Sequence, residues 1–431
     1  MKGHAKLLRR YFYTLLRKSE KYFKTDMVYL AKSGFWINFA YIIGSIFSLV
    51  TSIAFAYFVP KETYGVYKYI ISTVGIFTAL SLTGMNMAVV RATAQGFEGV
   101  FKRSLIEQLK WSIPQFATLC GIGAYYFYHG NAVFGWSFIA ASVLAPLSSI
   151  ANTYGAYLTG KKDFKTMSIY GAFSNLFNFL AITAAIVFSQ NILVLVLVFY
   201  LARTAFNIFF CWRTFTTFRP SGPSRPEDFT YAKHMSVMNI LGEIAANIEN
   251  VIVFQMLGPV SVSIYAFALA IPDRLKSLFG FVGTAAIAKM SGKTNLEIGK
   301  NIRHKIVLLI TLGLCIAVCY VFAAPLIFSL FFPKYMQSVQ FSQIYAVSMV
   351  TIAASIPVSA LYAKKLQKEL YIFNVGGPII KIIIFVLGTY YWGLVGAIIS
   401  KVLYSFVQIS MPTRLLFGGA EKLEESSDLQ S

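Results

Sequence analysis

Apolar runs of about twenty residues recur along the whole chain, each long enough to cross a ~30 Å hydrocarbon core as a helix. A chain built from such runs folds as an all-α polytopic membrane protein. Charge content agrees: 13% of the 431 residues are charged and 57% are hydrophobic, where a soluble domain carries about 25% charged residues. Twelve spans are expected, at 34–59, 66–90, 108–128, 132–158, 166–188, 191–213, 232–257, 261–289, 305–331, 338–362, 371–390 and 393–416. No signal peptide is expected, because 34–59 is too long for its apolar segment and follows a long basic stretch.

The loops test this count. With alternate loops on alternate sides, one side holds thirty Lys and Arg and the other two, Lys61 and Lys334. Such asymmetry places both termini in the cytoplasm by the positive-inside rule. Most of the +21 net charge is therefore topology and contact with anionic membrane lipids, and a nucleic-acid partner is not implied. The expected organisation is a basic amphipathic cytoplasmic N-terminus over 1–33, a six-helix bundle over 34–213, a cytoplasmic linker over 214–231, a second six-helix bundle over 232–416, and a disordered acidic cytoplasmic tail over 417–431. Within 5–24, Leu and aromatic residues recur at spacings of 3–4 between Arg and Lys, the pattern of an interfacial helix or a basic tail.

The second bundle reads as a copy of the first. At an offset of 198, Tyr64-Gly-Val-Tyr67 falls on Val262-Ser-Ile-Tyr265 and Arg91 on Lys289; at 206, Lys162-Asp-Phe164 falls on Lys368-Glu-Leu370. Six helices onto six preserves orientation, so the repeat is parallel, and such repeats enclose a central site between the halves.

Charges inside membrane spans are rare and face a bundle interior or water. Here they are Arg203, Glu243, Glu249, Asp273, Arg274, Lys276, Lys381 and Lys401. Residues 231–289 hold most of them, in two helices joined by a turn at Gly258-Pro259. Asn239, Glu243, Asn247 and Asn250 share about 80° of one helix face; Glu249 lies off that stripe, toward a neighbouring helix. Pro272 is expected to disturb its helix beside Asp273 and Arg274. The group lines a polar cavity, or else Glu243 and Asp273 neutralise Arg274 and Lys276 in a buried network. The candidate substrate-binding cations are Lys381, Arg274, Lys276, Arg203 and Lys401. Lys381 leads because it sits mid-span, whereas Lys401 is placed either to line the cavity or to snorkel. Lys68, near a helix end, is expected to snorkel. Five in-span cations against three acids favour an anionic substrate. The five tryptophans lie near span ends, as an interfacial belt requires.

No enzyme signature stands beside these. Gly155-Ala-Tyr-Leu-Thr-Gly160-Lys161 copies the start of a phosphate-binding loop, but Lys162 replaces the Ser or Thr that holds Mg²⁺. The four histidines form no metal-spaced cluster, and the four cysteines lie in apolar runs as packing residues. No cofactor is expected; Glu243 and Asp273 are the candidates for carrying a coupling H⁺ or Na⁺.

Val59-Pro-Lys-Glu-Thr-Tyr-Gly-Val-Tyr67, then Ser81-Leu-Thr-Gly-Met-Asn86 and Val90-Arg91, resemble the Wzx-type polysaccharide flippases of the multidrug/oligosaccharidyl-lipid/polysaccharide exporter superfamily. The resemblance covers roughly residues 30–415. It implies export of an undecaprenyl-diphosphate-linked oligosaccharide repeat unit across the bacterial inner membrane, for O-antigen or capsule synthesis, and leaves room for a docked polysaccharide polymerase complex. Cavity cations would meet the diphosphate. A cation-coupled multidrug exporter of the same superfamily, whose cavity acids should outweigh its bases, is the alternative. A membrane polymerase or ligase fits less well, because no long outside loop is expected.

Overall fold

A computed structural model describes residues 27–280, 295–364 and 366–428. Residues 5–24 and 281–289, which carry the expected amphipathic stretch and the end of the eighth span, lie outside the described residues. The described residues are helical almost throughout. The first half contains α1 (Met27–Phe58), α2 (Lys61–Thr78), α3 (Met85–Ala94), α4 (Val100–Trp111), α5 (Ile113–Tyr128), α6 (Ala132–Ala151), α7 (Thr153–Gly160), α8 (Phe164–Phe188) and α9 (Ile192–Phe218). The second contains α10 (Pro226–Leu257), α11 (Pro259–Ser277), α12 (Asn295–Phe331), α13 (Ser338–Ala346), α14 (Ser355–Ala363) and α15 (Gln367–Asp428), with a 3₁₀ segment, Val347–Ala354, between α13 and α14.

Short connections are capped from within. Asn131, Asp163 and Asn191 each accept a hydrogen bond from a backbone N–H two or three residues on, serving donors that a helix start leaves free. Gly258 takes φ 81° and Pro259 opens α11, as the sequence implies for a tight turn. α15 is two antiparallel arms that reverse at Gly393, φ 55°, between the eleventh and twelfth expected spans.

Several expectations change. The second span is not continuous: it breaks over residues 79–84, and the freed Gly84 N–H donates to Ser236 Oγ on α10 at 2.9 Å. The linker shrinks to residues 219–225, because α9 runs to Phe218 and α10 starts at Pro226. Pro226 at the first position with Glu227 and Asp228 beside it favours a helix start. α11 runs through Pro272, whose ring is absorbed without ending the helix. Residues 417–428 continue α15 instead of forming a disordered tail; Glu421, Lys422, Glu424 and Glu425 are good helix formers.

The two halves share a core. Helix starts Lys61 and Pro259 stand 198 residues apart, which is the offset of the sequence repeat. α2 packs on α10 and α11, so the opening helices of the two halves form the central seam. Much of the remaining apolar surface faces outward, with Phe188, Phe322 and Trp392 strongly exposed. On a multi-pass membrane protein that surface meets lipid.

Candidate functional site

A cavity of about 590 Å³ lies between the halves. Its first-half wall comes from α1, α2 and Asn175 of α8; its second-half wall comes from α10, α11 and the second arm of α15. One end is sealed where α2 meets α11. A Cβ on Gly65 would lie 1.8 Å from the Pro259 carbonyl oxygen, so only glycine permits this approach. Phe267 packs against Tyr64, Phe332 and Tyr335, with ring centroids 5.0, 5.1 and 4.0 Å away. Tyr57 donates to the Leu330 carbonyl at 2.7 Å, and Lys334 donates to the Tyr57 carbonyl at 2.6 Å. These bonds tie the end of α1 to the end of α12 and the turn after it. Away from the seal, the cavity rim reaches Tyr41, which is 72% exposed.

The charged groups fall into three sets. At the first, Glu249 is 5% exposed and is clamped by both arms of α15. Lys401 donates to its Oε2 at 2.5 Å, and Tyr265 donates to the same oxygen at 2.7 Å. Lys381 stands 2.7 Å from Oε1 as an ion pair, while its directed hydrogen bond goes to the Ala245 carbonyl. In the second, Lys276 pairs with Asp273 at 2.7 Å, and Tyr345 bridges them, accepting from Lys276 at 2.6 Å and donating to Asp273 at 2.7 Å. Lys276 also donates to Ser348.

The third set is cationic alone. Arg274 and Lys68 both line the cavity. Arg274 donates to Ser48 and Ser52 of α1 at 3.1 and 3.2 Å, and its Nε has no partner. Lys68 lies over the Tyr64 ring at 5.5 Å. Among the described residues neither has a carboxylate within 4 Å. Taking the three sets together, five cations face two acids, leaving three positive charges on the cavity and the network behind it.

Several sequence candidates are thereby re-placed. Lys401 and Arg274 line the cavity, as do Glu249, Asp273 and Asn250. Lys381, the leading candidate, does not: it is turned away and held by Glu249 and Ala245. Lys276 is taken up by Asp273. Arg203 is exposed over Phe199 and belongs to no charge set. The polar stripe of α10 faces α2 more than open space: Asn250 donates to Ser72 at 2.8 Å, and Asn247 packs beside Gly75. Glu243 contributes its carbonyl to Asn247 and does not line the cavity. Lys68, expected to snorkel, lines the cavity instead, as does Ala266, its counterpart at the offset of 198. The first half also supplies a polar wall, through Tyr41, Ser45, Ser48, Ser52 and Asn175, none of which carries a charge to flag it.

Residues 30–236 match the family described as polysaccharide biosynthesis protein. No curated protein matches the chain in sequence. An inward-facing multidrug resistance MATE family transporter of the MOP superfamily superposes with TM-score 0.71 at 13% identity, covering 90% of this chain and 96% of its own; an outward-facing one gives 0.65 at 14%, covering 92% and 96%. The lipid II flippase MurJ, in an inward closed conformation, gives 0.63 at 15%, covering 89% and 87%. The chain has the fold of the MOP-superfamily transporters.

Proposed function

We propose that the protein is a transporter, and not an enzyme, that flips an undecaprenyl-diphosphate-linked oligosaccharide from the cytoplasmic to the outer face of a bacterial inner membrane by alternating access. The observation that carries this reading is the pair of cations without an ion-paired carboxylate, Arg274 and Lys68, on a cavity between the two halves. A diphosphate needs charge-assisted donors, and a guanidinium supplies them in a fork that matches phosphate and stays charged. The cavity lies within the roughly 300–1,000 Å³ usual for small-molecule sites. Its neutral wall of hydroxyls and Asn175 suits sugar, and its rim at Tyr41 lets a polyprenyl tail remain in lipid.

The sealed end lies among Lys61, Lys334 and the α10–α11 turn, on the side poor in basic loops. The protein therefore stands inward-open in this conformation. A membrane potential, negative inside, favours outward movement of each negative charge by about 2.3 kcal/mol per 100 mV. Both acids of the site are held by lysines, which weighs against Asp273 as an ion-coupling group and against a cation exporter, whose cavity should be acidic. The match to the polysaccharide biosynthesis family over residues 30–236 and the likeness to MurJ support the lipid-linked substrate. Deleting the gene tests the reading: lipid-linked sugar should accumulate on the cytoplasmic face and surface glycan should disappear. Unchanged glycan in a strain with no second exporter would refute it.

A further inference from the structure

Glu249 has two lysines where one would neutralise it, and the two are not equivalent. Lys381 is turned away from the cavity and anchored twice on α10, to Glu249 Oε1 and to the Ala245 carbonyl one turn earlier. Lys401 lines the cavity. Its one hydrogen bond to a described residue is the bond to Glu249 Oε2, so two of its three ammonium donors have no acceptor there. Otherwise it rests over the rings of Tyr265 and Tyr345, 5.7 and 5.6 Å from their centroids.

We propose that Lys401 is an exchangeable cation, parked on Glu249 while the cavity is empty and passed to the anionic group of the substrate, with Lys381 left behind as the permanent counter-ion of Glu249. This deepens the diphosphate reading and rests on it. The electrostatics permit the exchange because nothing buried is stranded. When Lys401 leaves, Lys381 still neutralises the carboxylate, and Tyr265 still donates to Oε2 at 2.7 Å. Stripping the only partner from a buried charge is strongly unfavourable; the second lysine removes that obstacle. Arg274 and Lys68 would hold the anion first, and Lys401 would complete the ring of donors.

The exchange makes a prediction that a fixed structural triad does not. In Lys381→Ala, Lys401 becomes the sole counter-ion of a buried carboxylate and is no longer free to leave. Affinity for undecaprenyl diphosphate should then fall about tenfold, the size of one charge-assisted hydrogen bond, although Lys381 is placed away from the cavity. Lys401→Ala should show a similar loss. The double variant Lys381→Ala, Glu249→Gln releases Lys401 again and should bind at least as tightly as wild type. The measurement is a titration of each purified full-length variant with undecaprenyl diphosphate in nanodiscs, with inorganic pyrophosphate in parallel to separate headgroup from lipid. Unchanged affinity in Lys381→Ala, or no recovery in a folded double variant, overturns the exchange. If Lys381 variants do not fold, Glu249→Gln alone reads it: freeing Lys401 should tighten binding about tenfold, and unchanged or weaker binding overturns it. Failure of the wild-type protein to bind either diphosphate would instead sink the functional reading beneath it.

Discussion

Gly65→Ala should hold the sealed end of the cavity open. The added Cβ would lie 1.8 Å from the Pro259 carbonyl oxygen, 2.6 Å from its carbonyl carbon and 3.0 Å from its Cα. All three are backbone atoms, with no flexible side chain to swing aside. Raising the shortest contact to the 3.0 Å floor of real Cβ contacts parts α2 from α11 by about 1.2 Å. That separation loosens the packing of Tyr64 on Phe267. Overpacking of this kind costs roughly 1–3 kcal/mol, and it acts only on the state in which the seam is shut. The closed-to-open ratio should therefore fall by about 5- to 150-fold. Ser263, fully buried behind the seal, is a suitable reporter. With Cys120, Cys211, Cys315 and Cys319 replaced by serine, Ser263→Cys should label slowly with an impermeant maleimide added to intact cells. Adding Gly65→Ala should speed labelling at least severalfold and slow transport. Equal labelling rates in the two backgrounds, with both proteins folded, would refute the assignment of this seam as the outer gate.

Other consequences follow from the same geometry. Tyr57→Phe removes the bond to the Leu330 carbonyl and should shift Ser263→Cys labelling in the same direction by a smaller factor, since such a bond contributes about 1 kcal/mol. Arg274→Gln should lower diphosphate affinity tenfold or more, as loss of a charged donor implies, while Arg203→Gln, outside the cavity, should leave it within twofold in the same titration. On the basic-loop side, Lys161 and then Tyr157 hydrogen-bond Glu98 and hold its carboxyl below the ordinary 4.5. A depressed carboxylate adds stability that is full above its unfolded value and is lost as pH falls through the folded one. Thermal melts of wild type and Glu98→Gln should therefore differ at pH 7 and converge below about pH 4; a constant gap would contradict the pairing.

The fold was legible in the sequence because membrane spans and basic loops are long-range, additive signals. The apolar runs locate most of the helices, and the turn at Gly258-Pro259 and the 198-residue offset both reappear as helix starts. The breaks were less legible. The interruption at residues 79–84 depends on Ser236, which sits 152 residues away and serves the Gly84 N–H; no local rule exposes that. Of the eight in-span charges, six gather between the halves while Arg203 and Glu243 stand apart, and the roles of the six depend on pairing across the fold. Lys381 is mid-span and so reads as substrate-facing, but Glu249 and Ala245 claim it. Lys401 is paired with a carboxylate 152 residues distant. Lys68 shows the opposite failure: its place near a helix end suggests the interface, and only the packing of α2 against α11 turns it into the cavity.

On the reading proposed above, this cavity carries a diphosphate-linked lipid across the bilayer. Reconstitution of the purified protein into liposomes containing a fluorescent undecaprenyl-diphosphate-linked sugar, followed by quenching of the outer leaflet, tests it most directly. Transfer between leaflets should saturate with lipid, be lost in Arg274→Gln, and be competed by undecaprenyl diphosphate. Leaflet transfer no faster than in protein-free liposomes, or transport of organic cations in its place, would contradict it.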